Sequence, residues 1–155
     1  MTVLSPVRAE ELGVVLPHEH VLVDTTVCYW QEPEDGATSH GPVEMSKLGS
    51  LRRNLFALRD NLVLDNHALA VAELDEFRRL GGGTVVDLTL ADIGRDPLAL
   101  QDIARRSGVH IIMGCGHYIH LAHPESLESE PLEARVRGLH PIAIGLRPRT
   151  ARGLM

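Results

Sequence analysis

Residues 13–24 read GVVLPHEHVLVD. Apolar and β-branched side chains dominate from Val14 to Val23, a glycine precedes them and the turn-prone DTT follows. The run therefore reads as a buried strand carrying two histidines. In a strand, residues i and i+2 face the same side about 6 to 7 Å apart, so His18 and His20 can converge on one metal ion while Glu19 points away. The spacing alone is weak, because nine histidines in 155 residues make a chance H-x-H pair unsurprising. Two polar groups at a strand end are the competing reading.

The pattern downstream sets the context. Thr25–His40 carries Pro33, Gly36 and several acids without a sustained period, which predicts a long loop. Leu51, Leu55, Leu58 and Leu62 recur at helical spacing. Asp65 or Asn66 can cap a second helix with Ala70, Leu74, Phe77 and Leu80 on one face. Gly81–Gly83 follow that helix and precede TVVDLTL, whereas phosphate-cradling glycines follow a strand and open a helix; they read as a helix C-cap and turn. Thr84–Leu90 is a second expected strand. Asp96 and Pro97 start a helix that ends at Gly108, and VHIIMG is a third strand. Strands alternating with helices, and apolar on both faces, predict parallel βα units and an α/β fold. The H-x-H pair then lies at the C-terminal end of its strand, where such folds collect ligands.

Composition narrows the partners. A formal charge of -6 gives no basic footprint for nucleic acid, and no apolar run of 18 residues is present to span a membrane. The N-terminus lacks a basic segment followed by a long apolar one, which predicts a cytoplasmic protein without a secretory signal. Cys28 and Cys115 are far apart and form no C-x-x-C, so they read as reduced thiols rather than a redox pair. His117, His120 and His123 repeat every third residue after the third strand. On a helix they would share a broad face, but a loop is the preferred reading and an independent metal site there is disfavoured. From Leu132 onward five arginines face a single acid, and Pro141 and Pro148 interrupt the run. The expected organisation is a unit over residues 1–124 followed by an atypical arginine- and proline-containing tail over residues 125–155.

GVVLPHEHV resembles the first signature of the phosphotriesterase family of amidohydrolases, with Val15 standing where that signature usually has threonine. LGGGTVVDLTLADIGRDPLALQDIARRSGVHIIMGCGHY resembles the family's second and third βα units, including Gly94–Asp96 and the turn that ends strand three. The similarity runs from about Thr2 to Pro124. It implies a (β/α)8 TIM barrel with two divalent metals, typically zinc, at the mouth. It implies His18 and His20 as ligands of the more buried metal, and Tyr118 as an aromatic near the substrate pocket, although a packing role fits Tyr118 equally well. The implied chemistry is hydrolysis of an ester, lactone, amide or phosphoester in a small-molecule substrate by metal-activated water.

A barrel of this kind needs about 250 residues, so the chain is expected to supply the first three to four βα units. The family's bridging lysine or glutamate, two later histidines and an aspartate have no secure match. Lys47 follows strand one and cannot bridge, and Glu130, Glu133 and His140 sit in the atypical tail. Two readings follow: a zinc-dependent hydrolase represented by its N-terminal half, or a non-catalytic α/β half-barrel that folds only with a partner. Open strand edges predict a homo-oligomer.

Overall fold

The computed structural model describes residues 1–30 and 40–135. In chain order the main elements are β1 (Val14–Glu19), β2 (Val23–Asp24), α1 (Thr26–Tyr29), α2 (Leu48–Leu51), β3 (Val63–Leu64), α3 (His67–Arg79), β4 (Gly82–Asp87), α4 (Pro97–Ser107), β5 (His110–Met113) and α5 (Ser126–Ser129). Three strands form one parallel sheet in the order β1-β4-β5, with α3 and α4 as the crossovers. Parallel neighbours need such a connection because a tight turn would reverse the chain. This is the opening part of a (β/α)8 barrel, three strands deep among the described residues. β2 and β3 pair antiparallel inside the long excursion between β1 and α3.

Local chemistry explains the helices. The Asn66 side chain accepts the Leu69 N–H at 3.0 Å and starts α3. Asp96 accepts from Leu98 and Ala99, Pro97 takes the first helical position and Gly108 closes α4 in the left-handed region at φ 68°. The apolar face of α4 brings Leu100, Ile103 and Ala104 onto Val85 of β4 and Ile111 of β5. Each fully buried valine, leucine or isoleucine among them stabilises the fold by about 1.5–3 kcal/mol. The N-terminal segment joins this core: Val3 N–H donates to the Ile111 carbonyl at 2.8 Å, and the Val3 carbonyl accepts from Gln101 Nε2.

Several expectations need correcting. The first strand ends at Glu19 and is not buried: Val14, Val15 and Leu16 are 61%, 37% and 36% exposed. β1 has a single hydrogen-bonded neighbour, so its other edge is unpaired among the described residues. Spacing at Leu51–Leu62 does not make one helix. α2 stops at Leu51, Asn54 Oδ1 accepts the Phe56 N–H in a local turn, and Asn61 Nδ2 donates to the Leu55 carbonyl. Such side-chain bonds compete with helical ones. Leu51, Leu58 and Leu62 are buried all the same. Of the three glycines only Gly81 forms the turn, at φ 98°, while Gly82 and Gly83 open β4. A Cβ on Gly83 would lie 2.3 Å from the Leu12 carbonyl oxygen, so this close approach of β1 and β4 requires glycine. The second strand correspondingly ends at Asp87 rather than Leu90. A short helix, α1, occupies part of the expected Thr25–His40 loop, whose residues 31–39 lie outside the described residues. Residues 136–155 of the arginine-rich tail, His140 included, lie outside them as well, while Leu127 of α5 is buried. Among the described residues no helix is long and apolar enough to cross a membrane.

Candidate functional site

The C-terminal ends of β1, β4 and β5 collect the chemistry. Leu16 pairs with Val85 and Glu19 with Asp87, so three steps on β1 match two on β4. This bulge falls at Pro17 and His18, where a proline is tolerated because β1 is an edge strand. His18 within it is exposed and His20 just past it is half-buried, with ring centroids 5.9 Å apart and planes at 70°. The structure therefore brings together the two residues that the spacing suggested. With metal–nitrogen bonds of about 2 Å, two imidazoles on one tetrahedral ion have centroids about 5 Å apart, so the two rings stand slightly wider than a shared ion would hold them. Among the described residues no group of three or more His, Cys, Asp or Glu side chains is placed to hold an ion.

Behind His20 lies a buried polar cluster that sequence reasoning missed. Thr89 and Asp87 are both 0% exposed. His20 Nδ1 is 2.9 Å from Thr89 Oγ1. Asp87 Oδ1 accepts the Thr89 N–H at 2.7 Å, and Oδ2 accepts the Val21 N–H at 3.4 Å. Burial pushes the Asp87 carboxyl above its ordinary range, opposed by hydrogen bonds from Thr89 and Val21 and by the nearby His20. An acid closing an apolar strand was the one sequence signal available.

A second cluster links the β4 and β5 ends. Asp92, 4% exposed, accepts from His117 Nδ1 at 3.1 Å and from the Tyr118 N–H at 2.8 Å. His123 Nε2 donates to the Tyr118 carbonyl at 2.9 Å. The rings of His117 and His120 each pack against that of His123, at 5.8 and 5.7 Å. This segment is a loop with one 3-10 turn at His120–Ala122. Tyr118 itself packs on the small core of Val23, Ile93 and Ala122, and its hydroxyl lies 3.2 Å from that of Tyr29. Tyr29 stacks on Phe56 at 4.6 Å. Its pKa is pushed up to about 12, first by the hydrogen bond to Tyr118 and then by burial. Burial, followed by the charge of Asp92, pushes the Cys28 thiol up, which disfavours the thiolate a redox or nucleophilic cysteine needs.

A cavity of about 710 Å³ separates β1 from α3. Leu16, Val21, Leu69, Leu74 and Phe77 give it apolar walls, and Glu19 and His20 border it. His20 thus sits on the same rim as Glu19, while His18 does not border this space.

Comparison with known proteins places these features. The family model described as the phosphotriesterase family matches residues 1–137. N-acetyltaurine hydrolase of Salmo salar is 37% identical over 134 residues, and that of Tetraodon nigroviridis 39% identical over 134. In each case the match covers 85% of this chain and 38% of the relative. A resiniferatoxin-binding protein from Rhodobacter sphaeroides superposes with a TM-score of 0.85 at 33% identity, over 92% of this chain and 40% of that one. The phosphotriesterase homology protein of Escherichia coli, complexed with phosphate in its active site, shares the fold with a TM-score of 0.58 at 17% identity, over 84% of this chain and 36% of that one. The chain thus spans about two fifths of the length of the proteins it matches, and the match carries the H-x-H strand, both crossover helices and the β5 turn. By the extent of that agreement the chain belongs to the phosphotriesterase family.

Proposed function

We propose that this chain carries the opening half of the active site of a zinc-dependent hydrolase. The observation that supports the reading is the pairing of His18 and His20 at the C-terminal end of β1, in a chain that the family model matches over residues 1–137. Bound there, a divalent cation lowers the pKa of water and polarises the oxygen that takes on charge as an ester, lactone, phosphoester or amide is cleaved. In a family member with two metals, His18 and His20 would hold the more buried one. His20 is kept in place by Thr89, and His18 remains open to solvent. Tyr118, fixed from its backbone by Asp92 and from its hydroxyl by Tyr29, would border the substrate. The relatives named N-acetyltaurine hydrolase favour a small N-acylated substrate beside the ester and lactone classes. Well-separated thiols, one half-buried and one exposed, fit a cytoplasmic setting.

One observation favours a second reading. Two imidazoles are fewer than the three protein ligands of a typical catalytic zinc, and among the described residues β1 presents an unpaired edge. On this reading residues 1–155 bind metal weakly and need further strands to turn over. The test is hydrolysis of N-acetyltaurine, an aryl ester and a γ-lactone by the zinc-supplemented chain beside its His18→Ala/His20→Ala variant. Turnover in the wild type alone supports the hydrolase. Equal rates in both contradict a catalytic role for the pair.

A further inference from the structure

Thr89 lies two residues past the end of β4 and is completely buried. Its hydroxyl can donate to His20 Nδ1 or accept from it, and the two cases leave opposite nitrogens of the ring available. Coordination decides between them. A neutral imidazole that ligates through Nε2 keeps its proton on Nδ1, and the Thr89 oxygen, 2.9 Å away, is placed to accept it. Asp87 holds the backbone on both sides of this contact, taking the Thr89 N–H on one oxygen and the Val21 N–H on the other. Val21 adjoins His20 in the chain, so the same carboxylate anchors the backbone beside the ring.

Resting on the metal-binding reading of His18 and His20, we propose that Thr89, its backbone N–H held by Asp87, is a positioning residue that fixes His20 as the Nδ1–H form with Nε2 presented as the ligand atom. A histidine ligand whose other nitrogen is held this way keeps both its orientation and its basicity, and losing the outer partner typically costs about 10- to 100-fold in metal affinity. The relevant contacts join residues 69 apart in sequence, so no local motif records them.

Two readouts test it on the full 155-residue chain. In the metal-free protein at about pH 8, where an ordinary histidine is neutral, two-bond nitrogen–proton correlation spectra of the imidazoles report the tautomer of His20, assigned by its disappearance in His20→Ala. The Nδ1–H form is expected in the wild type and in Thr89→Ser, and a mixture of forms in Thr89→Val. Titration with Co2+ should show binding weakened about tenfold or more in Thr89→Val and restored in Thr89→Ser. A folded Thr89→Val that keeps both the Nδ1–H form and the wild-type affinity overturns the proposal. So does an Nε2–H ring in the wild type, a result that needs no variant to fold. If the wild type binds no Co2+, the metal reading fails separately, while the tautomer spectra still decide whether Thr89 orients the ring.

Discussion

The imidazoles of His18 and His20 stand edge to face with their centroids 5.9 Å apart, the first within a bulge at the end of an edge strand and the second just past it. That relationship joins a local property of the sequence, the i, i+2 spacing, to a global one, the alignment of β1 with the C-terminal ends of β4 and β5. A bulge re-aims the side chains that follow it. Both rings therefore reach the end of the sheet at which the Asp87, Thr89, Asp92 and Tyr118 contacts gather.

The close approach of β1 to β4 makes a sharp steric prediction. Gly83→Ala puts a methyl 2.3 Å from the Leu12 carbonyl oxygen, a backbone atom with little room to yield. Chemical denaturation should show a loss of about 1–3 kcal/mol. Gly49→Ala in α2, where a Cβ meets nothing within 4 Å, should instead be neutral or gain a few tenths up to about 1 kcal/mol. Equal effects at the two sites would mean that the β1–β4 contact is looser than described.

The Tyr29–Tyr118 hydroxyl pair should be visible in alkaline titration. The folded chain holds the Tyr29 proton up to about pH 12, against an ordinary value of 10.0. A raised pKa means that the folded state binds the proton more tightly than the unfolded chain. The pair's contribution is thus fully present below pH 10.0 and is lost as the pH climbs towards about 12. Denaturation midpoints followed across that window should fall more steeply in the wild type than in Tyr118→Phe. At neutral pH a double-mutant cycle with Tyr29→Phe should return a coupling of about 0.5–1.5 kcal/mol. Additive single effects would remove the hydrogen bond from the account.

The helix boundaries show what could be read without coordinates. Asp96, Pro97 and Gly108 act through bonds and dihedrals within a few residues of themselves, so α4 was legible, as was the capping role of Asn66. The proximity of the His18 and His20 rings was legible for the same reason, since residues two apart in the chain need no third element to meet. Burial of β1 was not, because whether Val14 and Leu16 are covered depends on elements far away in the chain. Leu51, Leu58 and Leu62 illustrate a different failure: all three are buried as a helical period demands, yet Asn54 and Asn61 break the segment into turns. Thr89, Asp87 and Asp92 escaped notice because each works through a partner 25 or more residues away.

The exposed edge predicts association. Among the described residues β1 offers an unpaired edge and a row of apolar side chains, and half-exposed Leu69 on α3 adds to the apolar surface at the cavity wall. Such surfaces pair with other chains unless charge blocks them. Sedimentation should find the wild-type chain self-associated, and Val14→Lys together with Leu69→Lys should shift it towards monomer. A wild type that sediments as a single monomeric species contradicts this.

Most directly at stake is the sharing of one ion by His18, in β1, and His20, the residue that follows its end. Isothermal titration of Zn2+ into the metal-free chain, compared with His18→Ala, His20→Ala and the double variant, measures that. The expected result is weak one-site binding in the wild type, as befits a two-ligand shell, and its loss in either single variant, because both rings are needed. Wild-type binding that survives in the double variant, or its absence from the wild type, would contradict the account.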